Sequence, residues 1–488
     1  MDKRKIWIVL ITGIVLISAA LYVKGLDGMI DKVIVKPKTS SSPVTIFPSP
    51  YYTNYEMTIN LDSISGIIIG TSVIDTKNTT GADLDKIWIT TYPNAFRSRK
   101  TTPAPDSAYY AGFDPGWLKV SLVTVNGLPA KYEDHGVSGR IILAEPLPKN
   151  QKIRIEMVWK AKIPKAAYRY GYKDDAILLG QFYPVLNVKD DKGWHTSGNY
   201  RFGDPFYLQS ANYLVIVELP EIYQVAATGT ITNTLAEDNG RQTIWIEAKN
   251  VRDFAIAALY NYQTSSMIAN GSRINCYSRE VDAASADVLE RAAAAVKYYG
   301  NTYGAYPYQE LNIIEAPMKG FQGMEYSEVI FLAEEVFSPG YKEKTRSTLI
   351  AHEVAHQWWY GLVGNDQINE PWLDEGLATW SANQYLKEVE LRATKGASAS
   401  KNVKLGKSLS QMGSKQNYYD TAYQGGEAFW YGLETELGED KVLSILRKYM
   451  SKYKYRTATT EDLRQLITEE SDRDLEYFFD QWFAEGKK

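Results

Sequence analysis

Only 4 histidines occur in 488 residues, and two of them fall in Ala351-His352-Glu353-Val354-Ala355-His356-Gln357. On an α-helix, residues at i and i+4 share one face with Cβ atoms about 5–6 Å apart, so both imidazoles can reach a single ion. Glu353 sits beside that pair but out of line with it, where a carboxylate can polarise a metal-bound water. The flanking residues suit a helix: Ser347 or Thr348 can cap it, Leu349, Ile350, Val354 and Trp358 can pack, and Gly361 can end it. A catalytic zinc takes three protein ligands and keeps one position open, so one Zn2+ ion is expected and one ligand is still to be found. Downstream, Glu370-Pro371-Trp372-Leu373-Asp374-Glu375-Gly376-Leu377-Ala378 reads as a new helix with proline in its first turn. Glu375 lies 19 positions after His356, a separation over which a crossing helix can return a carboxylate to the metal.

Those helices need a scaffold, and the chain changes character twice before reaching them. From residue 51 to 262 short runs alternate with period two or are rich in β-branched residues, as in Glu56–Leu61, Gly66–Gly70, Lys152–Val158 and Tyr213–Leu219. Turn signals such as Asn126-Gly127 and Asp238-Asn239-Gly240 separate them, which predicts a β-sandwich-like, saddle-shaped domain. His135 and His195 lie in this part and are read as surface or packing residues. Near Val281 the period switches: Ala283 to Gly300 is Ala-rich with helical spacing and stops at a glycine. Leu311–Ile314 reads as a strand, and most of the remainder as helix, including a start at Thr459-Thr460-Glu461-Asp462. The polar stretch from Arg392 to Asn417 is read as a solvated loop. The fold class is α+β and multidomain, with residues 263–488 forming a mainly helical second domain.

The chain opens with the basic residues Lys3, Arg4 and Lys5 in a tail of residues 1–5, followed by an uncharged run from Ile6 to Val23. Those 18 residues would span roughly 27 Å as a helix, close to the hydrocarbon thickness of a bilayer. The expectation is a single transmembrane anchor over 6–23 with its N-terminus cytoplasmic and the rest outside the cell. A cleaved signal peptide is the alternative, with Ser18, Ala19 and Ala20 as candidate small residues at the cut. Residues 24–50, rich in proline and serine, would act as an extended tether.

Composition narrows the functional classes. Hydrophobic residues at 44% and charged residues at 23% describe a globular chain rather than a disordered one. The net charge of −4 offers no global basic field, so no nucleic-acid partner is expected. Cys276 is the sole cysteine, which excludes an intrachain disulfide and any structural zinc site built on several thiolates.

The run HEVAHQWW and the glutamate of WLDEG, with eighteen residues between His356 and that glutamate, resemble the zinc signature of the aminopeptidase N-like gluzincins, peptidase family M1, relatives of thermolysin. The resemblance implies a metal triad of His352, His356 and Glu375, with Glu353 as general base in a thermolysin-like domain. It further implies that Glu325, in Gln322-Gly323-Met324-Glu325-Tyr326, grips the free α-amine of a peptide substrate, with Gly323 and Met324 beside it. The family's pattern there has a first glycine and a final asparagine where this chain has neither. A transition-state tyrosine is implied at Tyr423 in Tyr423-Gln424-Gly425-Gly426, with Tyr418 and Tyr419 as alternatives. The YGAYPY segment and the ending DLEYFFDQWF are also similar to the family, and the resemblance implies a short form that would lack the large helical C-terminal domain of its long members. The implied activity is that of a membrane-anchored zinc aminopeptidase acting on peptides. An endopeptidase or other hydrolase on the same centre, and a non-catalytic surface binding protein, remain as alternatives; the intact Glu353 argues against the last.

Overall fold

The computed structural model describes residues 53–392 and 403–483. The expected tail, anchor and tether over 1–50 lie outside the described residues, and among those described no helix is long and apolar enough to cross a membrane.

The alternating runs become strands with one buried face. Asn54–Asp62 buries every second residue, Tyr55, Met57, Ile59 and Leu61, and leaves the others half-buried or exposed, as period two requires. It sits inside an eight-stranded sheet, parallel to Ala211–Pro220 on one side and antiparallel to Ile67–Lys77 on the other. The sheet continues through Lys152–Lys162 to Trp117–Val125, whose turn carries Asn126 and Gly127 at φ 51° and 79°. Two four-stranded sheets complete this β-rich part, one of them built from Gln224–Ala227, Ile256–Leu259, Ala176–Leu179 and Tyr170–Lys173.

A five-stranded sheet then supports the helical part. Its order is Gln263–Ala269, Ser272–Ser278, Glu310–Ala316, Val329–Ala333 and Gly323–Tyr326, mixed parallel and antiparallel. Leu178, Ala257, Met324, Tyr326 and Phe331 pack in one small core, so this sheet is joined directly to the β-rich part. A larger core buries Trp358, Trp359, Trp372, Trp380 and Trp430 among the helices.

Several helix limits differ from their sequence-based expectation. Ala283–Tyr303, capped by Asp282, passes through Gly300 and stops at Gly304, φ 131°. Gly300 is instead a contact: a Cβ there would lie 1.8 Å from Asn270 Nδ2. The helix bearing the histidine pair runs Glu343–Ala355, starting before Ser347 and Thr348 and ending before Gly361. Ser347 is fully buried, and its hydroxyl accepts from Arg291 rather than capping a helix. Arg346 secures this start by donating to Val336 O at 2.8 Å and Ser338 O at 2.7 Å. The polar stretch is more than a solvated loop in its described portion, residues 403–417. Leu405, Leu409 and Met412 are buried in the helical core, and Leu409–Met412 and Lys415–Tyr418 form short helices. Thr459 caps the helix Thr460–Ser471 as its capping-box pattern predicts.

Candidate metal centre and its cavity

His352 lies in the last turn of its helix and His356 is its C-cap, still in the αR conformation, so the i, i+4 spacing keeps both rings together. Their Nε2 atoms are 3.0 Å apart. Pro371 precedes the next helix, Trp372–Glu388, whose first turn brings Glu375 Oε2 to 3.3 Å from both Nε2 atoms. Close approach of that helix to Gly426–Leu437 depends on two glycines: a Cβ on Gly376 would lie 2.5 Å from Gly426 Cα, and the reverse holds equally.

The donor set fits a tetrahedral zinc. An ion with bonds of 2.0–2.1 Å separates its ligand atoms by about 3.3–3.4 Å, and the observed edges are 3.0, 3.3 and 3.3 Å. Both imidazoles are turned for it. His356 Nδ1 faces Trp359 O at 3.0 Å, so that nitrogen carries the proton and Nε2 keeps its lone pair. Thr379 gives its hydroxyl proton to Glu375 O at 2.7 Å, leaving its oxygen to accept from His352 Nδ1 at 3.4 Å. Glu375 Oε2 is buried with no hydrogen-bond donor. Two facing lone pairs and an unbonded carboxylate oxygen are costly to bury unless a cation draws them together.

The charges follow from the enclosure. Burial would raise Glu375, yet the two imidazoles of His352 and His356 beside it hold its carboxyl well below the usual range. Burial pushes Glu353 up to about 8, with Glu375 and Asp204 adding to the shift and His356 opposing it. Asp374 is raised to about 7 by burial and by Glu375, and accepts from Asn365 at 2.9 Å and Gln367 at 2.7 Å.

Glu353 is 5% exposed, and its Oε2 has no partner. Room for it comes from Gly323, where a Cβ would fall 2.0 Å from Glu353 Oε1. Glu325, two residues along the same strand, is also buried; its Oε1 is 3.5 Å from Gln367 Nε2. Burial raises its pKa strongly, with Asp204 adding and His356 opposing. Met324 is buried between them and joins the small core under the sheet. Tyr423 sits on a π-helical segment, Tyr419–Gly425, stacks on His352 at 5.5 Å and donates to Glu375 Oε1 at 2.6 Å. Tyr418 donates to the same oxygen at 2.8 Å, whereas Tyr419 is 48% exposed. The two tyrosines reach one point because a π-turn brings residues five apart onto the same side.

The three candidate ligands, Glu353, the Gly323-Met324-Glu325 segment, Tyr418 and Tyr423 line one cavity of about 420 Å³. Its remaining wall is contributed by residues that motif spacing did not single out: Arg169, Asp204 and Arg201 from the β-rich part, with Phe321 and Lys415. Arg169 and Asp204 form a buried ion pair, and Arg169 lies 4.8 Å over the ring of Phe321. In the sequence their only mark is an Arg-Tyr-Gly and an Arg-Phe-Gly-Asp run among loops. His195 is not a plain packing residue: its Nδ1 hydrogen-bonds Asp366 at 2.8 Å and its Nε2 lies 2.7 Å from the Asp190 carboxylate, tying the β-rich part to the segment that carries Gln367.

Comparison with known proteins agrees with this geometry. Residues 288–482 match the Peptidase family M1 domain. Aminopeptidase M1-C of Oryza sativa subsp. japonica is 23% identical over 250 residues, 46% of this chain and 28% of that protein. Endoplasmic reticulum aminopeptidase 2 of Homo sapiens is 21% identical over 354 residues, 66% of this chain and 36% of that protein. Probable aminopeptidase 1 of Sulfurisphaera tokodaii is 26% identical over 219 residues, 40% of this chain and 28% of that protein. The matches thus span 28% to 36% of those relatives' own lengths. The fold is similar to the crystal structure of an M1 zinc metallopeptidase from Deinococcus radiodurans, with TM-score 0.63, 14% identity and coverage of 90% of this chain and 94% of that one.

Proposed function

We propose, from the premise that residues 288–482 form a peptidase family M1 domain, that this chain is a zinc-dependent aminopeptidase. The observation that carries this reading is the meeting of His352, His356 and Glu375 beside an unpartnered Glu353 oxygen and a buried Glu325 in one cavity. His352, His356 and Glu375 would hold the zinc, which when bound supplies Lewis acidity and lowers the pKa of a water from 15.7 to about 7.

The protein's own groups do the rest. Glu353 Oε2 takes the proton of the attacking water and returns it to the departing amine. Tyr423, with Tyr418 beside it, offers a hydroxyl to the carbonyl oxygen as that oxygen becomes anionic, a donor contribution typically about 2.7–4 kcal/mol. Glu325 pairs with the substrate ammonium and so sets the first peptide bond against the other groups. Similarity to proteins named aminopeptidases supports the exopeptidase reading. We further propose that Ile6–Val23 anchors the chain in a cell membrane with the catalytic part outside; its support is the length and apolarity of that run. The catalytic domain would be thermolysin-like.

The direct experiment compares hydrolysis of peptides with free and blocked N-termini, with and without a chelator. Release of N-terminal residues from free peptides alone, lost on chelation, is expected. Equal cleavage of both peptides would show that Glu325 does not select an ammonium. Recovery of the full chain in a carbonate-soluble fraction would overturn the anchor.

A further inference from the structure

The charges lining the cavity are sorted by depth. Glu325, Glu353 and Glu375 are 5%, 5% and 2% exposed, whereas Arg99, Asp106, Arg201 and Lys415 lie at the exposed rim. Arg99 is matched by Asp106 at 2.8 Å, and the buried Arg169 by Asp204. Arg201 and Lys415 are bonded differently. Arg201 Nη2 donates to the backbone carbonyls of Arg99 and Lys100, both at 3.2 Å, and Lys415 Nζ donates to Gly320 O at 2.6 Å. Carbonyls fix the two cations in place without cancelling their charge, and neither forms an ion pair among the described residues. One comes from the β-rich part and the other from the helical part, and both line the same cavity.

We propose that Arg201 and Lys415 form a carboxylate-binding rim, which receives a carboxylate of a short peptide whose ammonium is held at Glu325. This rests on the aminopeptidase reading and adds a substrate class to it: peptides short enough for both ends to lie in one cavity of about 420 Å³, the size range of small-ligand sites. A short peptide is a zwitterion, and a cavity acidic at depth and basic at the rim matches its two ends. Arginine adds a planar fork suited to a carboxylate, and the low-dielectric walls focus the field of both cations. The carboxylate is either the C-terminus or an acidic side chain downstream of the cleaved bond.

The test uses the full zinc-loaded chain and three tripeptides of one sequence: free acid, C-terminal amide, and amide with Asp in the third position. The expected KM for the free acid is about tenfold below that of the amide, with the difference shrinking as salt rises. A low KM for the Asp-containing amide assigns the rim to any downstream carboxylate; a high one confines it to the C-terminus. In the double variant Arg201→Gln, Lys415→Gln the ratio of the free-acid and amide KM values should collapse to about one, the amide serving as internal reference. Equal KM values in the unmodified chain, or a ratio that survives the double substitution, overturns the proposal. If no tripeptide is cleaved, the aminopeptidase reading fails instead. Calorimetric titration with the free and amidated tripeptides then judges the rim alone, equal Kd values overturning it.

Discussion

The helical side of the cavity and the side contributed by the β-rich part reach the same space by different means. His352, His356 and Glu375 come from two helices adjacent in the chain, and their supporting contacts, Trp359 O and Thr379, come from the same stretch. Arg169, Arg201 and Asp204 sit on connections between strands, and their partners are Phe321, Arg99 and one another. Chemistry that needs atoms fixed to a few tenths of an ångström is thus carried by rigid neighbouring helices. The wall contributed by the β-rich part is carried by loops instead.

The difference can be broken at its strong side first. His356→Ala should remove bound zinc, measured by elemental analysis, and lower kcat/KM at least about a thousandfold. Glu353→Gln should lose activity to a similar extent while retaining the metal, which separates binding from proton transfer. Gly323→Ala comes next. Its Cβ would displace the Glu353 carboxylate, so kcat should fall about a hundredfold with zinc content unchanged.

On the β-rich side the expected losses are of stability more than of chemistry. Arg169→Leu leaves Asp204 buried without its cation, which should cost about 3 kcal/mol and lower Tm by roughly 3 °C in a thermal scan.

The smallest effect concerns the tie between the two sides. Asp366, against the desolvation of partial burial, raises the His195 pKa above its ordinary 6.5, with Asp190 adding to it. A histidine raised in the folded state contributes stability that is complete below its unfolded pKa and is lost as pH rises through the folded value. Stability should therefore fall by about 1 kcal/mol on going from pH 6 to pH 9, and His195→Gln should flatten that slope in urea titrations at the two pH values. An unchanged slope would show that the bridge is energetically neutral.

Legibility in the sequence follows the same division. The pattern His352-Glu353-Val354-Ala355-His356 is local: helical spacing places both rings on one face, and no distant contact is needed to read it. Strands such as Asn54–Asp62 were readable because one buried face imposes alternation. The end of the helix Ala283–Tyr303 was not, because Gly300 serves the side chain of Asn270, thirty residues earlier in the chain, rather than a cap. Leu405 and Leu409, within a stretch dominated by Lys, Ser and Gly, gave no periodic signal, yet both are buried.

The sequence alone determined that His352 and His356 can share an ion and that Glu353 stands beside them, since residue type and helical period decide both. The tertiary structure alone decided that Gly323 opens space for Glu353, that Tyr418 and Tyr423 meet at one oxygen of Glu375, and that Arg201 and Lys415 share a rim. Those relations join residues far apart in the chain, and their placement depends on how sheet and helices pack, a property that no short window of sequence contains.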